Sequence, residues 1–159
     1  MRHDALESII HPSFITNRFG EIDADTIYEA RMFIEVALAE LAARKATSED
    51  VEQIWAALNQ AHEVIADDAD FVSADWDFHL AIAEAAHNEL LQAFYHLARE
   101  LLLDFIEDAI RLPNVKEEAT EYHVAQARAI EQHDPGKARQ AALDHMLYVK
   151  ERLMERDSV

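Results

Sequence analysis

Apolar residues recur along most of this chain at intervals of three and four, the spacing that gathers them on one face of an α-helix. The pattern predicts six helices. The first, over residues 25–45, carries the stripe Ile27, Arg31, Ile34, Leu38 and Leu41. The second follows Thr47, an expected N-cap, with Glu49 and Asp50 in the first turn where the helix dipole favours acids; its stripe is Val51, Trp55, Leu58, His62 and Ile65. The third, over 70–86, places Phe71, Asp75, Phe78, His79, Ile82 and Ala86 on one face, and Asn88 marks its end. The fourth, over 89–112, is apolar around much of its circumference, from Leu90 to Ile110, as expected of a helix that is central or pairs with another subunit. The fifth, over 115–133, aligns Ala119, His123, Ala127 and Ile130. The sixth opens at Asp134-Pro135, with Asp as cap and Pro at the first helical position, and aligns Ala138, Ala142, His145, Val149 and Leu153. Residues 1–23 lack such a stripe. A turn of helix is expected over Leu6–Ile10, stopped at His11-Pro12, with Phe14, Ile15 and Phe19 as anchors that drape this segment over the bundle.

Composition narrows the class. With 159 residues, half of them hydrophobic, the chain suffices for one domain with a substantial core. Two Gly and three Pro favour long helices with short turns over a barrel or sandwich. No repeat or linker divides it. The absence of Cys excludes disulfides and thiolate metal sites, so any metal must take N and O ligands. No segment approaches 18 uninterrupted apolar residues, and the expected compartment is the cytoplasm. The formal charge of −18 opposes direct binding to phosphate backbones. It fits a soluble acidic surface, a saline or acid-tolerant source, or a face for a basic partner.

The candidate chemistry lies where stripes turn polar. Asp75 and His79 are one turn apart on one helix face, and His123 and His145 lie on two later stripes. Buried imidazole and carboxylate groups need compensation, and a shared divalent ion would supply it. The bland alternative is a set of core histidines bonded to backbone groups, of which His62 would be an example. Arg31 reads either as an i,i+4 ion pair with Glu35 or as a carboxylate clamp facing the same core. His87, His96 and His133 are expected at the surface or at helix ends. Nucleophilic catalysis has no motif in its favour.

Several blocks, taken in order, resemble a known family. Tyr28-Glu29-Ala30-Arg31-Met32-Phe33-Ile34-Glu35 is similar to an E-x-R-x-x-[ILV]-E block. Asp75-Trp76-Asp77-Phe78-His79-Leu80-Ala81-Ile82, followed by Ala85-Ala86-His87-Asn88, is similar to D-x-x-F-H-x-x-[IL]…A-x-x-N. His123 and His145 stand eleven residues either side of Asp134. Together they resemble the FCD domain, the C-terminal effector-binding domain of GntR-superfamily regulators of the FadR subfamily, over about residues 26–153. The resemblance implies an all-α antiparallel bundle of six or seven helices, usually a homodimer. It implies metal ligation by Asp75, His79, His123 and His145, a small organic acid as effector, Arg31 beside that effector, and Asn88 as a structural or pocket residue. The chain departs from the pattern at His133, where Gly is usual, and at Ala86, where Ser or Thr is common. Residues 1–25 are too short for the family's winged helix-turn-helix and lack its basic recognition helix. The expectation is therefore a short N-terminal segment, 1–23, before an FCD-like domain at 24–157, either excised or free-standing.

The functional expectation is a sensor domain, not an enzyme, holding Zn, Ni or Mn, with DNA reached only through a winged helix-turn-helix absent from this chain. One alternative is a metal-dependent hydrolase using Asp77 or Glu84 as base, although Asp77 points about 200° around the helix from Asp75. Another is a purely structural dimerisation module with the fourth helix as contact.

Overall fold

The structure, a computed structural model, describes residues 23–97 and 99–157; the expected turn at Leu6–Ile10 lies outside these residues. They form seven α-helices: α1 (Ala24–Lys45), α2 (Ser48–Glu63), α3 (Asp68–Ala85), α4 (Glu89–Leu97), α5 (Arg99–Ile110), α6 (Val115–Glu131) and α7 (Pro135–Asp157). The chain matches the expected all-α bundle. Within it α2 packs on α3, α6 on α7, and α1 lies against both α3 and α7.

Local chemistry sets the helix starts. Asp23 accepts from the Thr26 backbone N–H at 2.8 Å, which satisfies one of the free donors at the start of α1. Thr47 forms a reciprocal capping box with Asp50 at the start of α2. Asp67 accepts from the N–H groups of Ala69 and Asp70 ahead of α3. Pro135 is the first residue of α7, and Asp134 accepts from the Lys137 N–H at 3.0 Å. Its missing N–H costs nothing there, because that donor would have no helical partner.

The core is built from large residues set among alanines. Leu38, Ile54, Leu58, Phe78, Ile82, Tyr95 and Ile130 are buried with Ala39, Ala42, Ala43, Ala83, Ala127, Ala138 and Ala142. Alanines at the crossings let helix backbones approach closely, so the interior stays dense without glycine. Trp76 stacks on Tyr95 with ring centroids 5.0 Å apart, which fixes α4 against α3. No helix of the described residues is long and apolar enough to cross a membrane.

The expected fourth helix is described as α4 and α5 on either side of residue 98, which lies outside the described residues. Tyr95 turns inward from α4, and Ile106, Ala109 and Ile110 turn inward from α5. Leu90 and Phe94 are left on the outer side of α4. On α2 the buried face is Ile54, Leu58 and Ala61, flanked by half-buried Val51, Trp55 and Ile65. This rotation puts His62 in solvent, so it is not a core histidine.

Among the described residues, three turns use left-handed residues other than glycine: His87 (φ 44°), Asn114 (φ 61°) and His133 (φ 49°). Side chains hold two of them. The His87 ring meets Asp50 at 2.8 Å, Lys45 donates to the His87 carbonyl at 3.2 Å, and the His133 ring sits 3.0 Å from the Ala43 carbonyl. Asn88, expected to mark the end of α3, accepts from the Leu91 N–H at 3.2 Å and caps α4.

The rotated face of α2 sets the cost of changing it. Leu58→Ala should destabilise the fold by about 2–5 kcal/mol in urea denaturation, whereas His62→Ala should stay within about 0.5 kcal/mol of the parent.

Candidate metal centre

Four helices converge on one polar spot in the interior. Arg31 and Glu35 enter from α1, Asp75 and His79 from α3, His123 from α6 and His145 from α7, and all six are buried. The register of each helix explains this. Asp75 and His79 are one turn apart on the same inward stripe as Phe71 and Ile82. His123 lies between Ala119 and Ala127 on α6, and His145 between Ala142 and Val149 on α7, so the imidazoles replace apolar side chains in otherwise regular seams.

The three imidazoles crowd together. Ring centroids lie 4.9 Å apart for His79–His123, 4.5 Å for His123–His145 and 5.5 Å for His79–His145. One nitrogen from each can be chosen so that all three lie within 4.8 Å of one another. Asp75 adds its carboxylate, with Oδ2 3.7 Å from His79 Nε2 and Oδ1 3.7 Å from His123 Nδ1. Two ligands on one ion cannot be farther apart than twice the metal–ligand bond, about 4.2 Å for Zn with N and O donors. The Asp75 contacts meet that limit, and the imidazole set has to draw in by some tenths of an ångström.

The polar atoms of the cluster are poorly compensated by protein alone. His123 Nδ1 and Nε2 and His145 Nδ1 are buried without a hydrogen-bond partner. Such orphaned atoms are rare in native interiors and costly. Two buried carboxylates, Asp75 and Glu35, face the Arg31 guanidinium. Burial pushes the Asp75 carboxyl up to about 7, with Arg31 pulling it down and Glu35 pushing it further up. Burial also drives His79, His123 and His145 well below the usual imidazole value, and the neighbouring Arg31 adds to this in each case. Neutral imidazoles beside an anion-rich pocket are the donor set that a divalent cation fits.

Arg31 has both of the roles read from sequence within reach. Its Nε pairs with Glu35 Oε1 at 2.5 Å, while Nη2 lies 3.5 Å from His79 Nε2. The guanidinium thus borders the cluster. A cleft runs outward from Arg31, Asp75 and His145 between apolar walls that include Phe71, Ile106, Ile110, Val115 and Val149, and Lys116 also lines it. Lys116 is paired with exposed Asp68 at 2.7 Å. Asn88 is not among the residues lining this cleft. Asp77 and Glu84 face solvent on the outer side of α3, away from the cluster, so neither is placed to act as a base there.

Two neighbours of the cluster were not read from sequence as part of it. Glu35 was visible only as a partner for Arg31, but its second oxygen, Oε2, lies 3.2 Å from His79 Nδ1. Tyr95 was hidden in an apolar run, and its hydroxyl donates to Glu35 Oε1 at 3.4 Å. For Glu35 the available signal was its place one turn after Arg31.

The electrostatics give two expectations for the metal-free protein. Arg31→Met should cost about 3–5 kcal/mol by leaving Glu35 buried without its counter-charge, and Arg31→Met/Glu35→Leu should recover much of that loss, as read by chemical denaturation. Because the imidazole pKa values are lowered in the folded state, the unfolded chain binds more protons below the usual value of 6.5. Stability should therefore fall as pH drops through 6.5, by up to about 1.4 kcal/mol per pH unit for each imidazole. Asp75, raised to about 7, takes up a proton on folding in the same range and offsets one of the three. Denaturation midpoints at a series of pH values would check the slope.

Comparison with known proteins agrees with this architecture. A protein-family model, FCD domain, matches residues 26–147. The Uxu operon regulator of Haemophilus influenzae is 30% identical over 138 residues, covering 84% of this chain and 52% of that protein. The putative L-lactate dehydrogenase operon regulatory protein of Escherichia coli is 34% identical over 128 residues, covering 77% of this chain and 48% of that one. Both are named as regulators, not enzymes, and the chain spans about half the length of these curated relatives. A solved structure, Streptococcus agalactiae GntR, shares the fold with a TM-score of 0.65 at 24% identity, covering 79% of this chain and 56% of that one. With the family model matched across most of its length, the chain belongs to the FCD domain family.

Proposed function

We propose that this domain is a metal-dependent sensor of a small organic acid, serving a transcription regulator of the GntR type. The observation that carries this reading is the convergence of Asp75, His79, His123 and His145, with three orphaned imidazole nitrogens, beside Arg31 at the inner end of a cleft. The four side chains would hold a divalent ion such as zinc, nickel or manganese. Such an ion, if six-coordinate, supplies two open positions at which a carboxylate can bind.

Charge supports a single carboxylate as the ligand. A divalent ion and the Arg31 guanidinium bring three positive charges, against one each from ionised Asp75 and Glu35. One positive charge remains in a low-dielectric site, and one monoanion would neutralise it. Arg31 keeps its Nη edge towards the cluster while Nε holds Glu35, so it can orient the acid without losing its own partner. The apolar walls of the cleft suit the carbon body of such an acid. The name of the Escherichia coli relative, which refers to an L-lactate dehydrogenase operon, points to the same ligand chemistry.

In the full regulator, a homodimer in the cytoplasm, acid binding would change the relative pose of the two subunits. DNA affinity, carried by a winged helix-turn-helix outside residues 24–157, would follow by linkage.

Elemental analysis of protein purified without chelator tests the metal. About one zinc, nickel or manganese per chain is expected for the parent and nearly none for His79→Ala/His145→Ala; equal content in both refutes the reading. Small monocarboxylates should then raise the melting temperature of the metal-loaded parent and leave that of metal-loaded Arg31→Met almost unmoved, since only a ligand bound to the native state stabilises it.

A further inference from the structure

Glu35 is 6% exposed and uses both carboxylate oxygens. Oε1 accepts from Arg31 Nε at 2.5 Å and from the Tyr95 hydroxyl at 3.4 Å. Neutralising Arg31 needs no more than that. Oε2, however, lies 3.2 Å from His79 Nδ1. An ionised carboxylate only accepts, so the imidazole nitrogen facing it has to carry the hydrogen. On the other side of the ring, His79 Nε2 is 3.5 Å from Arg31 Nη2. A guanidinium only donates, so Nε2 has to be the bare nitrogen. Two independent contacts therefore select the same tautomer. Its lone pair sits on Nε2, where the Arg31 contact is at the limit of a hydrogen bond and Asp75 Oδ2, at 3.7 Å, is beyond one, so an ion drawn in beside Asp75 would take the lone pair in place of the guanidinium.

We propose that Glu35 is the positioning residue of the metal centre: it holds His79 with hydrogen on Nδ1 and so keeps the Nε2 lone pair for the ion. The assignment rests on the metal reading above for its purpose, though not for its geometry. His123 has no such guide, since its Nδ1 and Nε2 are both without hydrogen-bond partners, and His145 Nδ1 has none either. His79 is thus a ligand whose direction is set on both ring nitrogens before any ion arrives. The support extends outward through Tyr95, whose ring is stacked on Trp76 and so cannot swing its hydroxyl freely. A carboxylate behind a ligating imidazole orients the ring and raises its basicity, and loss of such a partner typically weakens metal binding by about 10–100-fold.

The experiment uses the full chain, stripped of metal, with two variants. Glu35→Ala removes the acceptor. Glu35→Gln keeps the volume and stands in if the first fails to fold; its amide can present NH2 to Nδ1 as readily as oxygen. Long-range proton–nitrogen correlation of the imidazole rings should show His79 of the parent with hydrogen on Nδ1, and a mixture of tautomers in either variant. Zinc affinity, read by competition with a chromophoric chelator, should drop at least about tenfold in both. A lower melting temperature alone would attend any loss of the Arg31 partner; the tautomer shift would not. A parent with hydrogen on Nε2, or Glu35→Gln binding zinc within twofold of the parent, overturns the proposal. If the parent takes up no zinc while the tautomers behave as expected, the metal reading falls and the geometric assignment stands.

Discussion

The buried charge cluster is the constraint around which the bundle is arranged. A guanidinium, two carboxylates and three imidazoles share one buried region, and each would cost several kcal/mol there if left alone. The Arg31–Glu35 pair offsets part of that cost internally. The remainder falls on Asp75 and the imidazoles, whose shifted proton affinities and unmet nitrogens mark the shortfall. A fold selected for stability alone would have apolar groups at these positions, because the flanking seams of α6 and α7 already run through alanine, isoleucine and valine.

The surrounding architecture makes the cluster possible. Its members come from α1, α3, α6 and α7, and alanine-rich contacts bring α1 close enough to α3 and α7 for side chains of ordinary length to meet. Tyr28 on α1 donates to the Met146 backbone carbonyl at 2.8 Å, immediately beside His145, so the registers of α1 and α7 are tied next to the site. Stacking of Trp76 on Tyr95 does the same for α3 and α4 on the other side.

Much of this was legible in the sequence because it is periodic. Asp75, His79, His123 and His145 stand out as polar residues on inward stripes, and the structure brings those four together with Arg31. Where periodicity is ambiguous, the reading failed. On α2 several registers look equally apolar, and only packing against α3 decides that Ala61, not His62, turns inward. Glu35 was half visible: spacing identifies its i,i+4 partner, but its contact with His79, 44 positions away in the chain, depends on how α1 meets α3.

The lacing of the turns divides the molecule into unequal ends. The α1–α2, α3–α4 and α6–α7 connections are stitched together by the His87, Lys45 and His133 contacts at the end where α1 finishes. The cleft opens towards the opposite end, among Phe71, Ile110, Val115 and Lys116, where half-buried Lys116 pairs with exposed Asp68 and sits over the Phe71 ring. Apolar packing holds this end, Phe71 with Ile106 and Ile110, and Val115 with Met146 and Val149. The two ends of the bundle are therefore kept together by different forces: directional polar contacts at the stitched turns, and non-directional apolar burial around the mouth of the cleft.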